Sequence, residues 1–127
     1  MKDNKITIRI SKPLQEVFKF TTTPPNSTRW INDVVEEKTN EQPVKVGTIY
    51  KLKNKAGEYS VVYVIAIKVN ELVEWVSKDQ NYHCRYTFKP IDKNTTELEY
   101  YEWADKGNLE EPFTLKTLQK LKSLLEK

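Results

Sequence analysis

Alternation of hydrophobic and polar residues is the dominant pattern along this chain. It appears first where Ile6, Ile8 and Ile10 are interleaved with Thr7 and Arg9. Alternation with a period of two residues is typical of a strand that buries one face. The sequence therefore predicts that the first element is a β-strand.

Helical spacing replaces this alternation in the next stretch, SKPLQEVFKF. Leu14, Val17 and Phe18 stand at positions i, i+3 and i+4, which places them on one side of a helix. Ser11 is an available N-cap, and Pro13 suits a first helical turn because proline lacks an N–H. We expect a short amphipathic helix here.

A second short helix is expected after a pair of prolines. Pro24 and Pro25 end the first helix, because proline cannot donate the helical hydrogen bond and restricts the residue before it. The second helix spans about residues 26–32 and carries Trp30 on one side. We interpret Trp30 as a hydrophobic latch where this helix meets the sheet.

The rest of the chain up to residue 104 is predicted to be strands separated by short turn signals. Connections this short imply antiparallel hairpins, because parallel strands need crossovers of a dozen or more residues. The predicted strands span about 33–40, 46–53, 58–68, 71–77, 80–89 and 95–104. In strand 58–68 both alternating sets of residues are apolar, so the pattern leaves its inward face undecided. An apolar outer face there would indicate a homodimer.

The tail EEPFTLKTLQKLKSLLEK has the pattern of an amphipathic helix. Its leucines fall within about half of the helix circumference. They are Leu115, Leu118, Leu121, Leu124 and Leu125. A sheet with one apolar face needs a covering element, and this helix is the only predicted element long enough to supply it. The predicted fold class is therefore α+β.

Composition indicates a single folded domain. The chain has 127 residues and 15.0 kDa, with 38% hydrophobic and 11% aromatic residues. This length suits one core, and we expect one domain over residues 1–127. The 31% charged residues and the mean hydropathy of -0.70 indicate a very polar, soluble protein.

Charge and cysteine usage exclude several classes of function. The 21 Lys and Arg residues are interspersed with 18 Asp and Glu residues, so no patch matches the basic footprint of a nucleic-acid-binding protein. No apolar run approaches the ~20 residues of a membrane span, and the first residues lack the pattern of a signal peptide. Cys84 is the single cysteine. We therefore expect a cytoplasmic protein without nucleic-acid partners or membrane insertion.

Three stretches resemble the START-like (SRPBCC) superfamily, which includes proteins similar to polyketide cyclases and dehydrases. They are ITIRISKPLQEVFKFTTTPPNSTRWI, PVKVGTIYKL and YTFKPIDKNTTELEYYEW. The resemblance implies a helix-grip fold: a curved seven-stranded antiparallel sheet wrapped around a C-terminal helix, with two short helices between strands 1 and 2. It also implies a cavity between the sheet, the C-terminal helix and the two short helices that binds lipids, sterols, quinones or polyketides, so the stretch 21–33 is expected to form one of its walls.

One departure from the family concerns the C-terminal helix. It spans only about 16 residues here, or roughly 24 Å at 1.5 Å per residue, which is shorter than is usual in the family. We therefore expect a reduced or partly open cavity.

The last hairpin can be phased from its own residues. Alternate residues of each strand point to opposite faces of the sheet. If one alternating set faces inward, Arg85 and Lys89 lie on the outer face together with Glu97 and Glu99, where opposite charges on neighbouring strands attract. The inward set is Tyr82, Cys84, Tyr86 and Phe88 on one strand and Thr96, Leu98, Tyr100 and Glu102 on the other. With neighbouring elements, the candidate ligand-binding residues are Trp30, Trp75, Tyr82, Tyr86, Phe88, Leu98, Tyr100, Glu102 and Leu118. Ordinary core packing is the alternative for the tyrosines, Trp30 and Trp75.

Glu102 is the candidate catalytic residue. An inward carboxylate in an apolar cavity could act as a general acid or base, or could hold the polar end of a ligand. The alternative is a bulge that turns Glu102 to solvent and Trp103 inward. His83 and Cys84 point to opposite faces of their strand and cannot form a catalytic pair, and the sequence offers no clustered metal ligands. No cofactor is expected.

Three functions remain open at this point. The first is binding of a small hydrophobic ligand, such as a lipid, quinone or polyketide-like molecule, in the internal cavity. The second is an enzyme similar to a polyketide cyclase or dehydratase that uses Glu102 and interior tyrosines. The third is an accessory or dimerising protein without a ligand.

Overall fold

The computed structural model describes residues 1–127 and contains one sheet, two α-helices and one short 3₁₀-helix. In chain order the elements are β1 Asp3–Ile10, α1 Leu14–Thr21, the 3₁₀-helix Asn26–Arg29, β2 Glu36–Thr39, β3 Ile49–Lys53, β4 Tyr59–Lys68, β5 Leu72–Ser77, β6 Tyr82–Asp92, β7 Thr95–Ala104 and α2 Leu115–Leu125. The strand order is β1-β7-β6-β5-β4-β3-β2, with every pair antiparallel. The predicted α+β helix-grip architecture is confirmed.

The alternation in the last hairpin sets which face of the sheet is buried. Tyr86 pairs with Tyr100, and Phe88 pairs with Leu98; all four side chains are buried. Glu102 is also buried, and Trp103 lies on the outer face, where its ring stacks on His83 at 4.7 Å. The predicted phasing of this hairpin agrees with the burial, and no bulge turns Glu102 outward.

A β-bulge resolves the inward face of β4, which the sequence left open. Val62 and Val64 face the interior, and the pairing with β5 shifts by one residue between Val64 and Ala66. Beyond the shift, Ile67 pairs with the buried Val73 and packs against the core. Because the bulge adds one residue, neither alternating set faces inward along the whole strand.

The second predicted helix is shorter than expected. It is a single 3₁₀ turn of four residues, Asn26–Arg29, instead of a helix over 26–32. Trp30 follows it directly and is buried, with its ring 6.2 Å from that of Tyr86 and 6.0 Å from that of Phe113. Trp30 thus holds this segment against the sheet, as the latch interpretation predicts.

Helix termini also differ from the predictions. Residue Ser11 does not cap α1; Pro13 holds the N-cap position, and the backbone N–H of Ser11 donates to the carboxylate of Glu126 at 2.7 Å. The C-terminal helix α2 has 11 residues instead of about 16. Its first residue, Leu115, is 49% exposed, because it precedes the turn of the helix that contacts the core.

Leu98 is expected to contribute strongly to stability, because it is fully buried at the centre of the core. The variant Leu98→Ala should lower the free energy of unfolding by about 2–5 kcal/mol, through lost burial and the void it leaves. Leu115→Ala is the matched control at an exposed position and should change it by less than about 1 kcal/mol. Urea unfolding of both variants measures the difference; equal losses would contradict this description of the core.

Candidate functional site

An apolar cavity of about 140 Å³ lies against the inner face of the sheet. Its floor comes from β2 to β7, and its other walls come from the segment after α1 and from Phe113, just before α2. Eleven of its 13 lining residues are hydrophobic. They are Ile31, Val34, Tyr50, Leu52, Val62, Trp75, Tyr82, Cys84, Tyr86, Tyr100 and Phe113, joined by Ser27 and Glu37.

The cavity is formed by only part of the region that the family resemblance implied: the sheet and the segment around the second short helix line it, and the C-terminal helix does not. No residue of α2 lines it, because the buried faces of Leu118 and Leu121 belong to the packed core. The chain just before α2 contributes Phe113, and the segment around the 3₁₀-helix contributes Ser27, Ile31 and Val34. The expectation of a cavity between the sheet and the C-terminal helix is therefore corrected. A helix of 11 residues cannot cover the whole sheet, so loops cover the remainder.

Aromatic rings pack edge to face around the cavity. The ring of Trp75 lies 4.8 Å from that of Tyr86 and 5.8 Å from that of Tyr50. Tyr100 lies 5.5 Å from Tyr86 and stacks on Phe113 at 4.2 Å. Such contacts fix ring orientations, so the wall is rigid and its polar atoms have defined positions.

The structure places only part of the sequence-predicted site at the cavity. Trp75, Tyr82, Tyr86 and Tyr100 line it. The other candidates, Trp30, Phe88, Leu98 and Leu118, are buried but pack in the core instead. The prediction placed core and cavity residues in one group, because alternation along a strand shows only that a side chain points inward, not whether it meets the core or the cavity.

Glu102 is buried, with 1% of its surface exposed, and both of its carboxylate oxygens accept hydrogen bonds. The hydroxyls of Tyr82 and Tyr100 donate to Oε1 at 2.7 and 3.0 Å. The amide of Asn4 and the backbone N–H of Phe113 donate to Oε2 at 2.9 and 2.8 Å. Four donors satisfy this buried charge, so the carboxylate acts as a structural clamp.

Glu37 is a site residue that the sequence analysis missed. It lies on β2 opposite Leu52, is 7% exposed, and receives the backbone N–H of Ser27 at 3.3 Å. Burial raises the pKa of Glu37 above its ordinary value, with the hydrogen bond from Ser27 opposing the shift. The run Glu36-Glu37-Lys38 gave no signal, because all three residues are charged and the strand has only four residues.

Two further polar groups at the cavity make no hydrogen bond of ordinary length within the protein. They are the hydroxyl of Tyr50 and the indole N–H of Trp75, both on side chains that are more than nine-tenths buried. Burial, and after it the charge of Glu37, raises the pKa of Tyr50, while the neighbouring indole N–H of Trp75 opposes the rise. Buried donors normally have partners, since leaving one unpaired costs about 1–3 kcal/mol. These two groups therefore mark the Glu37 end of the cavity as polar and unsatisfied.

An open groove of about 590 Å³ adjoins the cavity and shares Leu52, Val62 and Tyr82 with it. The groove is acidic and has no Lys or Arg in its lining. Its carboxylates are Asp33, Glu58, Asp79, Glu102, Glu110 and Glu111. The net charge of the chain is +3, so this acidity is local. A negatively charged molecule approaching through the groove meets repulsion and no cation.

Other reactive groups offer no second site. Burial raises the pKa of the Cys84 thiol to about 12, so the thiolate nucleophile is suppressed. The ring of His83 lies outside the sheet and contacts Asp105 at 2.9 Å. No group of three or more His, Cys, Asp or Glu side chains is arranged to hold a metal ion. No helix is long and apolar enough to cross a membrane.

Comparison with known proteins supports the fold class. No protein-family model matches the sequence, and no curated protein matches it. Solved structures do match. A START superfamily protein from Mycobacterium smegmatis superposes with a TM-score of 0.70 at 13% identity, covering 99% of this chain and 95% of that chain. The chain therefore has a START-like fold.

Two more solved structures show how varied proteins of this fold are. The Aha1 dimer from Colwellia psychrerythraea matches with a TM-score of 0.70 and 17% identity, covering 99% of this chain and 97% of that one. A point mutant of norcoclaurine synthase from Thalictrum flavum, in complex with a transition state analogue, matches with a TM-score of 0.64 and 11% identity, covering 98% and 91%. At such identities the likeness shows the fold alone.

The clamp at Glu102 should be essential for stability. Glu102→Leu removes the acceptor of four donors, and the backbone N–H of Phe113 and the hydroxyls of Tyr82 and Tyr100 lose the hydrogen bonds that they make to it, so we expect the free energy of unfolding to fall by about 3 kcal/mol or more. Glu102→Gln should cost clearly less, because its carbonyl can accept from the N–H groups of Asn4 and Phe113 while its amide donates to the tyrosine oxygens. Urea unfolding measures both variants, and equal stability of Glu102→Leu and wild type would contradict the clamp.

Glu37 should reduce stability as the pH rises. Its pKa is raised in the folded state, so the folded protein holds this proton more tightly than the unfolded chain, and stability is lost from about pH 4.5 upward through the folded pKa. Glu37→Gln removes this titration and should gain stability relative to wild type between pH 4 and pH 8. The control Glu36→Gln should lose stability relative to wild type as the pH rises above about 4.5, because a hydrogen bond from Lys38 lowers the pKa of Glu36 in the folded protein. Urea unfolding across this pH range tests both signs, and equal pH profiles for Glu37→Gln and wild type would refute this account of Glu37.

Proposed function

We propose that this protein binds a small hydrophobic ligand in the cavity beneath Trp75 and Tyr86. One observation carries the proposal: an apolar cavity of about 140 Å³ contains buried polar atoms that the protein itself does not satisfy. Apolar walls with a few directed polar groups are the general composition of small-molecule sites. A plain core of this size would pack to close the space.

The volume supports a ligand of about one ring. Cavities near 150 Å³ in other proteins accommodate benzene, which is close to the size found here. A sterol or a long acyl chain exceeds this volume several-fold. Among the classes expected from the sequence, a single-ring quinone or a fragment similar to a polyketide ring fits better than a lipid.

Charge further narrows the ligand class. Glu37 is the one ionisable carboxyl in the cavity lining, and the adjoining groove adds six more carboxylates without a cation. A fatty-acid carboxylate would find no positive partner here and would be repelled on entry. We therefore propose an uncharged or cationic ligand.

The alternative of catalysis by Glu102 receives less support from the geometry. Both oxygens of this carboxylate are occupied by four protein donors, and the hydroxyls of Tyr82 and Tyr100 are directed at it. A general base must reach the proton that it abstracts, and Glu102 is engaged elsewhere. The geometry favours binding over proton transfer by this residue.

The remaining expectations concern partners and location. Ile49, Tyr59 and Ile65 are exposed on the outer face of β3 and β4, which supports a homodimer through the sheet. The homodimer and the cytoplasmic location stay predictions.

Binding of single-ring molecules tests the proposed function. Toluene and phenol should raise the melting temperature in a concentration-dependent way and should change the fluorescence of Trp75, which lines the cavity. Palmitate should do neither. Val62→Phe places a ring in the cavity and should abolish both effects, whereas Val76→Phe, on the outward-facing position next to Trp75, should retain them. The proposal fails if neither ring molecule binds to the wild-type protein at millimolar concentration.

A further inference from the structure

We infer that the Glu37 end of the cavity is a hydroxyl-binding subsite, formed by the side chains of Glu37, Tyr50 and Trp75. The ligand it takes is a single ring carrying a hydroxyl group, of the phenol class. The hydroxyl donates to the carboxylate of Glu37 and accepts from the indole N–H of Trp75 or the hydroxyl of Tyr50. This inference rests on the proposed function and specifies which ligand and which orientation the cavity favours.

The first support is the setting of the Glu37 carboxylate. It is 7% exposed, and no Lys or Arg lines the cavity that it faces. The backbone N–H of Ser27 donates to it at a long 3.3 Å, and the hydroxyl of Ser27 is its other neighbouring donor. A buried carboxylate retains several acceptor positions, and each gains from a donor that replaces lost water. The carboxylate can therefore accept a hydrogen bond from a ligand.

The second support comes from two buried donors beside this carboxylate. Tyr50 is 3% exposed and Trp75 is 7% exposed, and neither polar atom makes a hydrogen bond of ordinary length within the protein. The indole N–H of Trp75 lies near enough to the hydroxyl of Tyr50 to oppose the rise in its pKa. Their rings pack edge to face with centroids 5.8 Å apart, so both belong to one wall of the cavity. The charge of Glu37 acts on the hydroxyl of Tyr50, which places the two groups in electrostatic range.

The third support is the contrast with the opposite end. There the hydroxyls of Tyr82 and Tyr100 already donate to Glu102, whose other oxygen is also occupied. A polar ligand group placed at that end would displace existing hydrogen bonds. The Glu37 end has unused donors and an underused acceptor, so the polar group of a ligand is stabilised there and the ring occupies the apolar middle.

A hydroxyl fits this arrangement better than other small groups. Glu37 requires a donor, and the indole N–H of Trp75 requires an acceptor, which a hydroxyl supplies with one oxygen. A methyl group supplies neither. A carboxylate supplies acceptors only and is repelled by Glu37, while an ammonium supplies donors only and leaves Trp75 unpaired. Water can also satisfy these groups, so the experiment must separate a ligand hydroxyl from water.

Phenol and toluene are the matched probes, because the two molecules have the same number of heavy atoms and differ only in the hydroxyl. Their dissociation constants are measured by titration on wild type, Glu37→Met and Tyr50→Phe. In Glu37→Met we expect phenol affinity to fall on the order of tenfold and toluene affinity to stay within about twofold. Tyr50→Phe should lower phenol affinity by less. Glu36→Met, the neighbouring residue on the other face of β2, should change neither.

The indole N–H resonance of Trp75 gives a second, independent readout. In proton–nitrogen correlation spectra, phenol should move this resonance downfield, because its oxygen accepts the indole proton, and toluene should not produce that downfield shift. Trp75→Phe assigns the peak, and the indole of Trp103 on the outer face serves as the internal control. Thermal unfolding monitored by circular dichroism confirms that each variant is folded before its affinities are compared.

The outcomes separate this inference from the proposed function. Both probes bind in one outcome, but Glu37→Met and Tyr50→Phe change the affinity for phenol no more than the affinity for toluene. The cavity then binds rings while water hydrogen-bonds to its polar groups, and the hydroxyl subsite is refuted. If neither probe binds, the proposed function fails and the subsite with it. Selective loss of phenol affinity, together with the Trp75 shift, supports the subsite.

Discussion

The carboxylate of Glu102 is the interaction on which the rest of the structure depends. It receives donors from β1 through Asn4, from β6 and β7 through Tyr82 and Tyr100, and from Phe113 just before α2. A buried charge is costly unless it is fully hydrogen-bonded, so these segments adopt the one arrangement that satisfies it. Holding Phe113 against Tyr100 also forms one wall of the cavity.

The two buried carboxylates at the inner face of the sheet have opposite roles because their surroundings differ. Glu102 has four protein donors and is inert, whereas Glu37 faces the cavity with donors from Ser27 alone and a pKa raised by burial. A group that stays buried without full satisfaction destabilises the fold, and such strain is typical of functional sites. The number of hydrogen bonds that each carboxylate receives, not the residue type, distinguishes the structural carboxylate from the candidate binding one.

Sequence reasoning predicted the strands, their order in the hairpins and the inward parity of the last hairpin, because alternation encodes these directly. It could not separate cavity residues such as Tyr86 from core residues such as Leu98, since parity is the same for both. Glu37 was missed because a charged four-residue strand shows no alternation, and its inward direction follows only from pairing opposite Leu52. The bulge in β4 likewise depends on pairing with β5, which local sequence does not specify.

The short C-terminal helix explains why the cavity lies beside it instead of beneath it. With 11 residues, α2 covers the β1 side of the sheet, and the segment around the 3₁₀-helix must cover the β2 side. That segment has little regular structure, so its position depends on Trp30, which packs against Tyr86 and Phe113. Tyr86 and Phe113 are themselves cavity walls, so one buried aromatic residue couples the covering segment to the lining of the cavity. The size of the cavity therefore depends on loop packing, and small changes around Trp30 would alter the cavity without changing the sheet.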